Sequence, residues 1–136
     1  MTETVFPVVN DLSRPFWSAG ERNELLLPVC ISSGRAFWPP SPISPFVNAG
    51  SVEWRRIAPE GVVKSIVIYR RIFQASFERL APYGVGLIEL DAGPRLMAHV
   101  PKPQDPDAPR AGCRAMLRFT RLLLNGPAVP TLVRHE

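Results

Sequence analysis

Two cysteines and two histidines are the only thiols and imidazoles in this 136-residue chain. Cys30 and Cys113 lie far apart, and disulfide-built secreted scaffolds use more cysteine. Cys30, Cys113, His99 and His135 total a Cys2His2 set, but their spacing matches no zinc-ligand pattern. No glycine-rich phosphate loop, Ser-His-Asp order, metal-carboxylate cluster or internal repeat is visible. No apolar run approaches the ~18 residues of a membrane span. The opening Met1-Thr2-Glu3-Thr4-Val5-Phe6 lacks a basic stretch followed by an apolar one, so no secretory leader is expected. The expected protein is cytoplasmic, with no membrane partner.

Proline is abundant instead, at 16 residues, about twice the usual ~5% share. Each proline removes a backbone donor and fixes a torsion, so long helices are disfavoured. The prolines gather at 39–45 and 101–109, which marks loops. Of the 16 basic residues 14 are Arg, and the net charge is +4. Residues 1–50 hold three basic and four acidic groups, whereas 51–136 hold thirteen and eight, a surplus of five. The planar fork of Arg suits phosphate, though surface Arg also serves solubility.

The stretch 30–54 has the outline of a metal knuckle without its ligands. A zinc ribbon brings together two Cys-x-x-Cys clamps. Here Cys30 and Ser33 precede a tight turn at Gly34, and Ser44 and Val47 precede Gly50. Three of these four positions cannot supply a thiolate, so the expectation is a ribbon shape with no zinc. Before it, Ser13 and Pro15 suit a helix start over 13–20. Phe16 and Trp17 on that helix must be buried, in this chain's core or against a partner.

After Ser51 the pattern turns to strand: 52–57, 61–73, 83–90, 95–100 and 113–123. The run 61–73 is dense in β-branched and aromatic residues on both faces and is expected to be central. Gly84 and Gly86 suggest a bend or a close approach, and Asp91-Ala92-Gly93 reads as a hairpin turn. The segment 113–123 fits strand or short helix equally. A helical turn is possible over 75–80. The expectation is a mainly β protein: a five-stranded Greek-key barrel of the OB type, preceded by an N-terminal helix and a metal-free ribbon-like knuckle. Strand count alone leaves an SH3-like barrel or a small sandwich open. The division is 1–27 arm and helix, 28–50 degenerate ribbon, 51–124 barrel and 125–136 tail.

An ordered set of short motifs resembles one family, the domain of unknown function thirty-five. The set begins with Pro15-Phe16-Trp17, Cys30-Ile31-Ser32-Ser33-Gly34, Phe37-Trp38-Pro39-Pro40 and Pro42-Ile43-Ser44-Pro45. It continues through Glu53-Trp54, Gly61-Val62-Val63-Lys64-Ser65, Ala81-Pro82-Tyr83, the run 87–96, Asp105-Pro106-Asp107 and Gly112. The resemblance covers 13–120. It implies a helical arm, a rubredoxin-like ribbon and an OB barrel, in an accessory subunit beside a thiolase-like or hot-dog hydratase enzyme of acyl-CoA metabolism. The departure lies at Ser33, Ser44 and Val47, which puts zinc in doubt. Phe37, Trp38 and Phe46 are then expected to hold the ribbon by packing.

Chemistry is hard to assemble from these residues. His99 alternates with Leu96, Ala98 and Val100 and is expected on the barrel surface, while Cys113 reads as a small core residue. The chain is therefore expected not to be an enzyme and to need no cofactor. Binding is easier to argue. If Lys64, Arg70 and Arg95 share a face, they could hold the phosphates of an acyl-CoA by charge-assisted bonds. Tyr69, Phe73, Phe77 and Tyr83 could wall its acyl or pantetheine chain, or simply fill the barrel. The first expectation is an acyl-CoA-binding, non-catalytic subunit. A single-strand nucleic-acid binder is second, and a stand-alone hydrolase or lyase third. A homodimer is also open.

Overall fold

Alternation of burial builds most of this fold. The structure is a computed structural model and describes residues 11–48, 50–69, 83–122 and 126–134, with Tyr69 by its backbone alone. A short helix, α1 (Arg14–Gly20), leads into β1 (Leu26–Cys30) and β2 (Val52–Arg56). Then come β3 (Glu60–Tyr69), β4 (Tyr83–Leu90), β5 (Arg95–Pro101), β6 (Arg114–Arg121) and β7 (Ala128–Arg134). In β4 every second residue, from Gly84 to Leu90, is buried, and β5 repeats the pattern from Leu96 to Val100. That period of two is what a sheet with one inner face requires.

β3 to β7 close into a barrel in the order β3-β4-β5-β7-β6. β5 and β7 run parallel, and every other pair is antiparallel. This mixed, closed, five-stranded topology is the expected OB arrangement. Two strand assignments differ from the expectation. The segment at 52–57 does not enter the barrel; β2 pairs with β1 from Leu26↔Arg56 to Cys30↔Val52, making a separate two-stranded sheet. The fifth barrel strand is instead β7, in the stretch expected to be a tail. Pro127 and Pro130 look like strand breakers, yet Pro130 sits inside β7 opposite Phe119. Within the segment at 113–123, Arg114–Arg121 is strand, because Ala115, Leu117 and Phe119 alternate inward.

The helix closes a seam in the barrel. β6 pairs with β3 only over Arg114–Met116. Further along, the Leu117 N–H reaches the Pro59 carbonyl at 2.7 Å. The Phe119 N–H, on the same side, finds the Asn23 side-chain oxygen at 2.9 Å. Asn23 has φ 55°, a left-handed conformation that Asn tolerates better than most residues. Nearby, Glu21 accepts from the Ala128 N–H at 3.2 Å and pairs with Arg121. α1 begins with Pro15 in its first turn, as expected, but Ser13 makes no side-chain cap; its carbonyl accepts from the Phe16 N–H at 3.0 Å.

One core runs through all three parts. Phe16, Leu25 and Leu27 from the N-terminal third join Val63, Ile88, Leu90, Val100 and Leu132 from the barrel. Gly84 and Gly86 mark a close approach, as read from the sequence: a Cβ on Gly86 would lie 2.5 Å from Leu132 Cδ1. Gly61 is tighter in kind, since a Cβ there would lie 2.0 Å from the Glu89 carbonyl oxygen and 2.7 Å from Leu90 Cα. Backbone cannot rotate away as a leucine tip can. Gly61→Ala is expected to destabilise the fold by about 3 kcal/mol or more, and Gly86→Ala by about 1–2 kcal/mol. Urea unfolding of both variants checks the order.

Candidate functional site

The most unusual surface is the outside of β3, β4 and β5. Cross-strand register aligns Val67 with Val85 and His99, and Ser65 with Leu87 and Met97. Neighbouring strands lie about 4.8 Å apart, so Val67, Val85, Leu87 and Met97 make one apolar band. Val67 is 55% exposed and Met97 68%. The density of apolar residues on both faces of β3 therefore has a specific cause. Val63 packs inward into the core, while Val67 faces outward into the band. A barrel has no edges or centre, so the expected central strand is instead a strand with an exposed apolar outer face.

A groove of about 420 Å³ opens beside the band, lined by Phe16, Trp17, Trp38, Arg95, Met97 and Pro130 among others. Trp17 and Arg95 of the sequence-expected residues thus share one concave surface. Phe16 lies at its floor, buried in the chain's own core at 2% exposure. Its ring meets Trp17 edge-on at 5.0 Å and Trp38 at 4.5 Å.

The expected cationic cluster is only partly a free cluster. Lys64 and Arg95 do come together, but on Glu89. The Lys64 ammonium lies 3.7 Å from Glu89 Oε2 and an Arg95 guanidinium nitrogen 3.0 Å from it. The trio carries a net single positive charge at the end of the apolar band. Glu89 was not among the sequence-expected residues. The signal was its position two residues before the Asp91-Ala92-Gly93 turn, facing Arg95 across the hairpin. A nucleic-acid groove needs rows of cations alternating with stacking aromatics, and this trio does not supply one. Arg70, Phe73 and Phe77, with the 75–80 segment and His135, lie outside the described residues, as does the side chain of Tyr69. Tyr83 is half-buried on the outer face of β4, its ring 5.8 Å from that of His99.

Three basic side chains surround a second hollow of about 430 Å³ lined by Arg110, Cys113, Arg114 and Arg134. Cys113, expected in the core, is exposed here, because it precedes β6 and is held by its backbone: its carbonyl accepts from the Val63 N–H at 2.9 Å and its N–H donates to the Arg110 carbonyl at 3.1 Å. Arg114 grips Asp91 with two bonds of 2.9 and 2.7 Å, and Arg134 reaches Asp107 at 3.4 Å. Among the described residues around this hollow, Arg114 and Arg134 are engaged by carboxylates and no basic group is bonded to the Cys113 sulfur.

The knuckle positions behave differently. Cys30 is fully buried. Hydrogen bonding by the Ser33 hydroxyl, and then by the Ser44 hydroxyl, pulls its thiol down to about 7 against the opposing effect of burial. Among the described residues no three His, Cys, Asp or Glu side chains group to hold a metal. One thiol, two hydroxyls and a Val47 methyl do not fit the four-thiolate shell of a ribbon. Phe37 meets Phe46 edge-on at 6.0 Å, and the Arg35 guanidinium lies 3.8 Å over the Phe46 ring.

His99 lies on the outer face, as expected, but is half-buried between neighbours, and that burial holds its imidazole below the ordinary value. The unfolded chain takes up a proton near pH 6.5, whereas the folded chain resists until lower pH. Folded protein then binds fewer protons, so stability is full above that pH and falls as pH drops through the window. The stability of wild type relative to His99→Gln is expected to decline from pH 7 to pH 5. Denaturant melts of both proteins across that range check it.

Comparison with known proteins now places this geometry. Residues 54–120 match the family model described as ChsH2, C-terminal OB-fold domain. That match begins at Trp54 within β2, runs through β3, β4 and β5 to Thr120 in β6, and stops short of β7, the last barrel strand. No curated protein matches the chain in sequence. A solved chain titled "Ltp2-ChsH2(DUF35) aldolase" is similar at TM-score 0.79 and 23% identity, over 94% of this chain and 98% of that one. Residues 54–120 of this chain are therefore similar to the C-terminal OB-fold domain of ChsH2, and the chain shares the fold of the solved DUF35 protein.

Proposed function

We propose that this chain is a non-catalytic subunit that docks on a catalytic partner through the exposed band of β3, β4 and β5. The observation that carries the reading is the band itself: Val67, Val85, Leu87 and Met97 on the outside of a closed barrel. Contiguous apolar surface of this kind marks interaction sites in soluble proteins. The similarity to a chain from a solved Ltp2–ChsH2 aldolase supports a place beside an enzyme. Among the described residues no acid–base pair forms around Cys113 or His99, which supports leaving the chemistry to that enzyme.

The finer part of the proposal concerns the substrate. The partner acts on acyl-CoA thioesters and is of the thiolase-like or hydratase kind. The groove beside the band offers Trp17, Trp38 and Met97 to an apolar acyl or pantetheine segment. Arg95 stands where a phosphate could exchange with Glu89. Such an exchange replaces one charge-assisted pair with another, so it favours orientation over tight binding. No zinc takes part.

Val67→Asp and Met97→Asp place a charge in the band without touching the core. Each is expected to weaken association with a co-expressed thiolase-like partner at least tenfold, about 1.4 kcal/mol, while leaving the unfolding free energy of the isolated chain within about 0.5 kcal/mol of wild type. Size-exclusion chromatography with light scattering, followed by titration calorimetry, reads this. Equal association of wild type and both variants, or turnover of acyl-CoA thioesters by the isolated chain, defeats the proposal.

A further inference from the structure

The small sheet of β1 and β2 has two edges, and they are treated differently. On the β1 edge the Cys30 N–H donates to the Arg35 carbonyl at 2.9 Å, and the Phe37 N–H donates to the Pro28 carbonyl at 3.0 Å. The β2 edge has no such cover. Where β2 begins, the Ser51 carbonyl accepts from the Ile31 N–H at 3.0 Å. Where it ends, the Ile57 N–H donates to the Leu25 carbonyl at 2.9 Å. Backbone groups alternate in direction along an antiparallel pair. Ser51, Glu53, Arg55 and Ile57 therefore face β1, while Val52, Trp54 and Arg56 face away from it. Among the described residues no backbone hydrogen bond reaches the N–H and C=O groups of those last three.

An unpaired edge is a template for another strand, and proteins blunt such edges with proline, bulges or charge. β2 carries no proline, and its register with β1 runs without a shift. Its charges are Glu53, Arg55 and Arg56. Trp54 packs against the core, so by alternation Glu53 and Arg55 point to the opposite face, where they pair with each other and stay partly exposed. Charge on an edge usually repels a second strand, but here the signs are ordered. With a two-fold axis through Trp54, an antiparallel second copy of β2 sets its Arg55 opposite Glu53 and its Glu53 opposite Arg55. Axes through the neighbouring residues fail, because one through Glu53 sets Glu against Glu and one through Arg55 sets Arg against Arg. An axis between residues sets an outward backbone group against one already turned to β1. The axis through Trp54 also joins the free groups: Trp54 to Trp54, and Val52 to Arg56 twice, about six N–H···O bonds.

We propose that the free edge of β2 is the seam of a two-fold homodimer, in which two copies join their small sheets as β1-β2-β2-β1 in the register centred on Trp54. The proposal does not depend on the docking role above, which uses the outer face of β3, β4 and β5. A two-fold seam must be self-complementary, and the alternation Glu53-Trp54-Arg55 meets that condition in one register. Opposite charges directly across an antiparallel pair attract and like charges repel, so the same residues that admit a second copy in this register reject the adjacent ones. A five-residue seam is shorter than the strands of most sheets and buries less than the ~1,600 Å² of a standard interface. The dimer is therefore reversible and forms with rising concentration.

The test is sedimentation of the full chain over a concentration series reaching about 1 mM, where even a weak pair is populated. Wild type is expected to pass reversibly from monomer to dimer. Glu53→Arg sets Arg against Arg and Arg55→Glu sets Glu against Glu, and each is expected to weaken the dimer about tenfold or more. The exchange Glu53→Arg/Arg55→Glu restores unlike pairs and is expected to return the dimer to within about threefold of wild type. An equal mixture of the two single variants is expected to form a heterodimer tighter than either homodimer. A monomer at every concentration, a dimer indifferent to both reversals, or a loss that neither the exchange nor the mixture rescues overturns the proposal. Should the single variants not fold, amide hydrogen exchange of wild type decides. Exchange at Val52, Trp54 and Arg56 is expected to slow as concentration rises, and rates independent of concentration refute the seam.

Discussion

One phenylalanine ring holds three pieces of this molecule together. Phe16 arises from a seven-residue helix, far too short to be stable alone. Its ring lies 4.5 Å from Trp38 of the knuckle loop and 5.4 Å from Phe119 of the barrel strand β6. Rings offset or tilted at such distances gain from edge and face contacts beyond the area they bury. Gly20, one turn on, permits the approach: a Cβ there would sit 2.5 Å from Phe119 Cδ2. The helix is thus stabilised by what it covers. What it covers, in turn, is the seam where β6 has run past its pairing with β3. Asn23 supplies there an acceptor that a longer β3–β6 ladder would have supplied, and Glu21 accepts from the Ala128 N–H at the start of β7. Helix, ribbon and barrel share one core because each leaves the next with an unsatisfied edge.

That interdependence explains which parts of the fold could be read directly from residues. β4 and β5 were legible because alternation is strict and Gly93, at φ +116°, marks the hairpin between them. The knuckle was legible because its turns are punctuated by Gly34 and Gly50. β2 was misassigned for a physical reason: a half-exposed five-residue strand carries the same local pattern whether its partner is β1 or a barrel strand. Only the register with Leu26–Cys30 distinguishes them, and that is a long-range fact. β7 was missed because prolines usually mark strand ends. Pro130 is accommodated where β7 meets β5 through a single parallel pair, His99↔Thr131, so one absent donor breaks no long ladder.

The candidate site was less legible than the fold. Trp17 and Arg95 were readable as candidates, yet their meeting in one groove depends on α1 docking against β7 and β1. Lys64 and Arg95 were read as free cations, and Glu89 changes that. Its position opposite Arg95 follows from hairpin register. Lys64 joins them because β3 shifts register between Val63 and Ser65, a bulge no residue pattern announced. Cys113 was placed inside because a small thiol usually is buried. Its exposure follows from lying just before β6, where the chain is still turning.

The arrangement of the exposed band bears on how a partner could use it. An apolar surface alone attracts without choosing. Here the band from Val67 to Met97 ends at Lys64, Glu89 and Arg95, which together carry one net positive charge. Covering the band brings that trio toward the rim of the interface, where screening by water falls. A partner that presents a carboxylate or phosphate there would compete with Glu89 for Arg95, and one that presents a cation would leave two positive groups facing a third. Discrimination then comes from the rim and adhesion from the band. That division needs neither a general base nor a metal on this chain, and it accounts for a small barrel whose inner face forms the core while the outer face of β3, β4 and β5 keeps an apolar band.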